Sequence, residues 1–253
     1  MSSMKPEKTK ISETPGTAPR KPRADGVVSR GVILNAAARL ATTRGLEGLS
    51  IGELAQHIGM SKSGLYAHFK SKEELELATI ETAAEIFASD VVAKVPQSLL
   101  GLERISALTD AFLQHLQRRI FPGGCFFATV SAQLAANPGR PRDRVMQVQA
   151  DWVAQFTSAL GQCREAGEIP RDADLDQLAF EITAMMLRAN FAWVLTEDKN
   201  VLDQARVGVK NVLARVAKAA QSHGKRRPPH GSSRVAFGHA EIPEPAMKTL
   251  EKK

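Results

Sequence analysis

Apolar residues recur at spacings of three and four along most of the chain, the period of a helix laid against a core, and nothing resembles a strand repeat. A first helix is predicted from about Ser29 to Arg44, with Ile33, Ala37, Leu40 and Ala41 on one face and Gly45 as its stop. Three further start signals follow closely. Ser50-Ile-Gly-Glu53 has the form of a capping box opening a helix to Ile58, and Ser61 caps a second short helix reaching Phe69. Ser71-Lys-Glu-Glu74 is another capping box, opening a longer helix with Leu77, Ile80, Ala84, Phe87 and Val91 on one stripe, ended before Pro96.

Further helices are expected at about 99–119, 142–165, 173–196 and 200–221, punctuated by Pro122-Gly123-Gly124 and by Pro138-Gly-Arg-Pro141. Val145, Val148, Trp152, Phe156 and Leu160 share a face of the 142–165 helix. Leu175, Leu178, Ile182, Met186, Ala189 and Trp193 form one later stripe, and Ala205, Val209, Val212, Val216 and Ala220 another. Each suits either the molecule's own core or a second copy. There is no internal repeat, and the fold class is all-α.

The segment Ser50–Phe69 has the grammar of a helix-turn-helix. Leu54, Ala55 and Ile58 are its first buried side, Gly59 takes the turn, and Leu65 and Phe69 anchor the second helix. At about 100° per residue the opposite face is Ser63, Gly64 and Ala67, flanked by Tyr66 and His68. Small residues there let the helix approach base edges, with Ala67 suited to a thymine methyl and Lys62 to guanine acceptors. Ser50, Ser61, Tyr66 and Lys72 sit at helix starts or flanks, placed for phosphate contacts that set register without reading sequence.

Residues from Arg30 through the motif Gly59-Met-Ser-Lys-Ser-Gly-Leu-Tyr-Ala-His-Phe-Lys-Ser-Lys-Glu-Glu-Leu75 resemble the DNA-binding domain of the TetR family of transcriptional regulators. Gly52 departs from the pattern, standing where many members carry a larger polar residue. The resemblance implies that Tyr66 and Lys72 bind phosphate and that Lys62, Ser63, Gly64, Ala67 and His68 face the groove. It also implies a three-helix helix-turn-helix DNA-binding domain followed by a helical ligand-binding and dimerisation domain. The division expected is a basic arm at 1–26, the DNA-binding domain at 27–79, a sensing and dimerising domain at 80–221, and a basic tail at 222–253.

The implied partners are double-stranded operator DNA, a second copy of the chain, and a small-molecule effector of apolar character. The last two long helices are expected to pair with their copies, and Phe87, Phe112, Phe127, Trp152, Phe156 and Met185 are candidates to line an effector pocket. The function implied is a repressor released from a palindrome by its effector.

Composition refines this picture at three points. Residues 1–30 and 223–253 each carry seven Lys/Arg against three Asp/Glu, a net of +4 at each end, while 31–222 is close to neutral. Both ends read as disordered; they either add attraction to DNA phosphates or merely solubilise. An architectural protein coating DNA through these arms is therefore the competing class. Two cysteines, Cys125 and Cys163, give neither a disulfide framework nor zinc spacing. Cys125 is either a small buried residue or, with glycines before it and a helix start after it, an exposed thiol sensor. No nucleophile–base pair, phosphate loop or metal cluster stands out, so neither an enzyme nor a cofactor is expected. The polar N-terminus and the lack of a spanning run predict a cytoplasmic protein with no membrane partner.

Overall fold

The computed structural model describes residues 24–224, and among these every regular element is helical. Nine α-helices follow one another: α1 Ala24–Arg44, α2 Ile51–His57, α3 Lys62–Tyr66, α4 Lys72–Asp90, α5 Gly101–Gln117, α6 Phe126–Leu134, α7 Arg140–Glu165, α8 Leu175–Thr196 and α9 Asn200–Gly224. A short 3-10 turn, Val92–Lys94, follows α4. The expected arm and tail lie mostly outside the described residues, although α1 starts at Ala24 and α9 continues to Gly224.

The caps act where the sequence put them. Ser50, Ser61 and Ser71 each accept, through Oγ, the backbone N–H three residues on, at 3.1 Å in each case. The Ser71 box closes one residue early, because the Glu74 carboxylate accepts the N–H of Lys70 (2.9 Å) rather than that of Ser71. Gly45 and Gly59 adopt φ of 89° and 71°, the left-handed turns that end α1 and join α2 to α3.

Three expectations need correction. The second short helix stops at Tyr66, not Phe69: the His68 N–H turns back to the Leu65 carbonyl at 3.0 Å, a tightened final turn that swings Phe69 inward. On α4 the buried stripe is Leu75, Thr79, Ile80, Ala83 and Phe87, so Leu77 and Ala84 are only half-buried. A nine-residue helix, α6, occupies ground the periodicity did not assign.

One apolar core runs from Ile33 in α1 to Leu213 in α9. In the N-terminal unit α1, α2 and α3 close over Leu54, Leu65 and Phe69, all fully buried. Helix α4 packs against both α1 and α7, linking that unit to the α5–α9 bundle. The expected α8 stripe faces this core from Leu178 to Trp193, with Leu175 at its edge; on α9 the deepest residues are Leu202, Ala205, Val209 and Leu213. Helix α8 is long and apolar enough to cross a membrane by length and composition alone, yet this face is packed inside the bundle.

Candidate nucleic-acid interface and ligand cavity

Helix α3 presents two faces of opposite character. Leu65 and, just beyond it, Phe69 are at 0% exposure, whereas Tyr66 is 59% exposed and Lys62, Ser63 and Ala67 are open to solvent. Gly64 and His68 are half-buried at the margins. The predicted recognition face is thus outward. Arg30 locks the back of this unit: its guanidinium lies 4.4 Å from the centre of the Phe69 ring and donates to the His68 carbonyl.

The flanking residues differ in how free they are. Lys72 donates to the Glu47 carbonyl and pairs with Glu76 at 3.7 Å, and at about half exposure it keeps a donor for a phosphate. Ser50 is engaged twice within its own turn, accepting from Glu53 N–H and donating to the Glu53 carboxylate at 3.2 Å. Ser61 caps α3 and shares a 3.2 Å hydrogen bond with Ser63 Oγ.

Gly52 has a definite role in this geometry. A Cβ there would lie 2.9 Å from Lys62 Cε and 3.3 Å from Nζ, so the missing side chain is what lets Lys62 lie across the start of α2. The departure from the family's pattern therefore leaves room for a cation beside the start of α2.

The N-terminal unit is seated on the bundle through the segment between α5 and α6. Gly123 N–H donates to Thr42 Oγ1 at 3.1 Å, Arg39 donates to the Ile120 carbonyl, and Gln133 on α6 accepts the Leu46 N–H at 3.0 Å. The same segment is gripped from the other side, where Asn190 Oδ1 accepts the Cys125 N–H at 2.8 Å. Lower down, Arg144 forks onto Glu81 at 2.6 and 2.9 Å and holds that carboxyl below the ordinary glutamate range.

Within the bundle lies a cavity of about 520 Å³, within the usual range for small-molecule sites. Four of the six aromatic or methionine candidates line it: Phe87, Phe112, Phe127 and Trp152, with Phe87 set edge-on to Trp152 at 5.0 Å between centroids. The other two do not. Phe156 is fully buried behind Trp152, and Met185 points away to α9, its sulfur resting where a Cβ on Gly208 would sit. Its neighbour Met186, about 100° further round the helix, lines the cavity instead.

Sequence reasoning missed the outer wall, formed by Phe180, Thr183, Leu187, Arg188 and Phe191 of α8, with Gln149 from α7. The available signal was that α8 is apolar nearly all round, which demands a partner for its second face as well.

Cys125 lines the cavity but is buried, and burial raises its thiol above the ordinary cysteine value despite backbone N–H groups of Phe127 and Ala128 that favour the thiolate. The exposed, activated thiol considered above is not what the fold builds. Cys163 is likewise buried, and burial next to Glu168 pushes it up to about 12. His115, beneath Phe87, is held below its usual value chiefly by burial; its Nδ1 lies 2.6 Å from Asp90. Among the described residues no group of His, Cys, Asp and Glu is arranged to hold a metal.

The two halves each match a family model. Residues 33–79 match bacterial regulatory proteins of the tetR family, and residues 101–209 match the tetracycline repressor-like C-terminal domain. The transcriptional activator FasR of Mycolicibacterium smegmatis is 32% identical over 88 residues, a match spanning 35% of this chain and only 40% of that protein. A TetR transcriptional regulator from Chloroflexus aurantiacus superposes with a TM-score of 0.70 at 26% identity, covering 75% of this chain and 96% of that one. AibR, solved in complex with isovaleryl coenzyme A and operator DNA, superposes with a TM-score of 0.59 at 27% identity over 71% of this chain and 95% of its own. With both domain models in chain order on a matching fold, the chain belongs to the TetR family of DNA-binding transcriptional regulators.

Proposed function

We propose that the chain acts in the cytoplasm as a homodimeric repressor that reads a palindromic operator through α3 and is released by a small molecule in the α4–α8 cavity. The observation that carries this is the two-faced α3: Leu65, with Phe69 just beyond, is locked into the core while Lys62, Ser63, Tyr66 and Ala67 stand outward. In this reading Lys62, Ser63, Gly64, Ala67 and His68 meet base edges, and Ser61, Tyr66 and Lys72 hold phosphates. Ser50 acts mainly as the α2 cap.

Dimerisation is supported by the second face of α8, where Phe180, Leu187, Phe191 and Leu195 are 66%, 43%, 42% and 82% exposed. Four large apolar residues on one helix face form a patch of the sort that marks an interaction site. Two copies joined there bring two α3 helices to one side of a duplex, where half-sites about 34–36 Å apart are required. A dimer lying across a promoter blocks access to it, and repression follows.

An effector releases DNA only if it binds one dimer state better than the other; about 1–3 kcal/mol of coupling changes operator affinity roughly 5–150-fold. AibR, solved with both isovaleryl coenzyme A and operator DNA, supports a regulator of this fold that takes a small molecule as well as DNA.

The test is a mobility-shift titration of the chain on the inverted repeat upstream of its own coding sequence. Tyr66→Ala or Lys72→Ala should lower affinity at least tenfold, since each removes a phosphate contact from both half-sites. Unchanged affinity in both variants would contradict the assigned contacts. Sedimentation of the free protein at micromolar concentration should show a dimer; a monomer there that also binds DNA as a monomer would refute the palindrome.

A further inference from the structure

Resting on the reading of the cavity as the effector site, we infer that its ligand is an amphipathic anion: an apolar body among the aromatic rings and a carboxylate or phosphate head held by Arg188. The inner wall is largely apolar, built of Phe87, Phe112, Phe127 and Trp152, with the buried Cys125 thiol also lining the cavity. The outer wall changes character abruptly. Among the described residues Arg188 is the only charged one that lines the cavity, and no acidic side chain accompanies it there.

The arginines of the neighbouring α9 are paired: Arg215 meets Glu181 at 2.6 Å and Arg206 meets Asp110 at 2.6 Å. Arg188 has neither a hydrogen bond nor an ion pair among the described residues, and it sits exposed at the mouth. A guanidinium standing next to apolar walls offers an anion with a hydrophobic body a contact for each of its two ends. The planar fork matches carboxylate or phosphate oxygens two at a time. A ligand cation would meet repulsion at the mouth. Thr183 adds a hydroxyl beside it, but its proton is already committed to the Ala179 carbonyl at 2.8 Å, so it can only accept.

The position also suits a signal. Arg188 is one residue beyond Leu187 on the exposed face of α8 and lines the shallow groove between α8 and α9 as well. A head group bound there changes charge on the surface where the second copy is proposed to sit.

Isothermal titration calorimetry on the full chain with matched pairs tests this: 4-phenylbutanoate against 4-phenylbutan-1-ol, and decanoate against 1-decanol. The wild type should bind at least one carboxylate tenfold or more tighter than its alcohol. Arg188→Gln should erase that ratio while leaving the alcohol's affinity and the melting temperature unchanged, and Arg188→Lys should keep part of it. Alcohols binding as well as acids overturns the anionic head and leaves the cavity as a ligand site. Absence of binding by all four, in a protein that still shifts operator DNA, overturns the cavity's role too. A variant that loses dimer affinity but keeps the acid–alcohol ratio shows that Arg188 serves the subunit interface, and likewise refutes the proposal.

Discussion

Replacing Gly123 by alanine probes the seam that seats the DNA-binding unit on the sensor. Its φ is not positive, so alanine meets no backbone penalty there and the effect is purely steric. The new Cβ would fall 1.9 Å from the Thr42 carbonyl oxygen, 2.6 Å from its carbon and 2.9 Å from Thr42 Cβ. Ordinary contact begins near 3.4 Å, so the segment must withdraw from α1 by about 1.5 Å. That movement breaks the 3.1 Å Gly123–Thr42 hydrogen bond, worth about 1 kcal/mol net, on top of about 1–3 kcal/mol for an overpacked contact.

The sum is about 2–4 kcal/mol, which for a chain of this size lowers the melting temperature by about 5–15 °C. Differential scanning calorimetry reads the loss. Thr42→Val, which removes the hydroxyl but keeps the shape, should cost only the hydrogen-bond share. Operator affinity measured at 15 °C, where both proteins are folded, should also fall, because α1 carries α2 and α3. A Gly123→Ala protein melting within 2 °C of wild type would refute the close approach.

The other predictions concern specificity, pH and thiol chemistry. Gly52→Gln should displace the Lys62 stem, whose Cε lies 2.9 Å from the added Cβ, changing operator preference with no loss of stability; an identical preference would show that Lys62 is not aimed by that gap. Because burial depresses His115 below its ordinary value of 6.5, the folded state takes up fewer protons than the unfolded one, so stability is full above that value and falls as pH drops below it. His115→Gln should flatten that decline in urea melts between pH 7 and 5; an unaltered slope contradicts the buried neutral imidazole. Both thiols are buried and raised, so iodoacetamide at pH 8 should label native protein far more slowly than unfolded protein, and fast labelling of Cys125 would revive the redox reading.

What could be read from the chain was whatever a side chain announces locally. Ser50, Ser61 and Ser71 name their helix starts, Gly45 and Gly59 name turns that need positive φ, and the spacing of Leu54, Leu65 and Phe69 fixes which side of α3 is left outward. Helix α8 was harder for a physical reason. The stripe from Leu178 to Trp193 reports its core face correctly, but the second apolar side carries large residues too, so the stripe does not say which of the adjacent Met185 and Met186 lines the cavity, and it is Met186 that does. Phe156 packs one turn from Trp152 and reads the same in sequence, yet it lies behind that ring rather than in the wall. The seam was invisible because each of its hydrogen bonds has a main-chain group on one side, the N–H of Gly123, the N–H of Leu46 or the carbonyl of Ile120, which any residue supplies, so Thr42, Gln133 and Arg39 read as ordinary polar positions; only the paired glycines hinted at it.

The most direct measurement is selection of bound sequences by the full chain from a random duplex DNA library. The account predicts enrichment of a single two-fold palindrome whose half-site centres lie one helical turn apart, with Lys62→Ala or Ala67→Ser altering the bases selected in each half-site and nothing between them. Recovery of unrelated sequences, or of one motif that neither substitution changes, would show that the outward face of α3 does not read DNA.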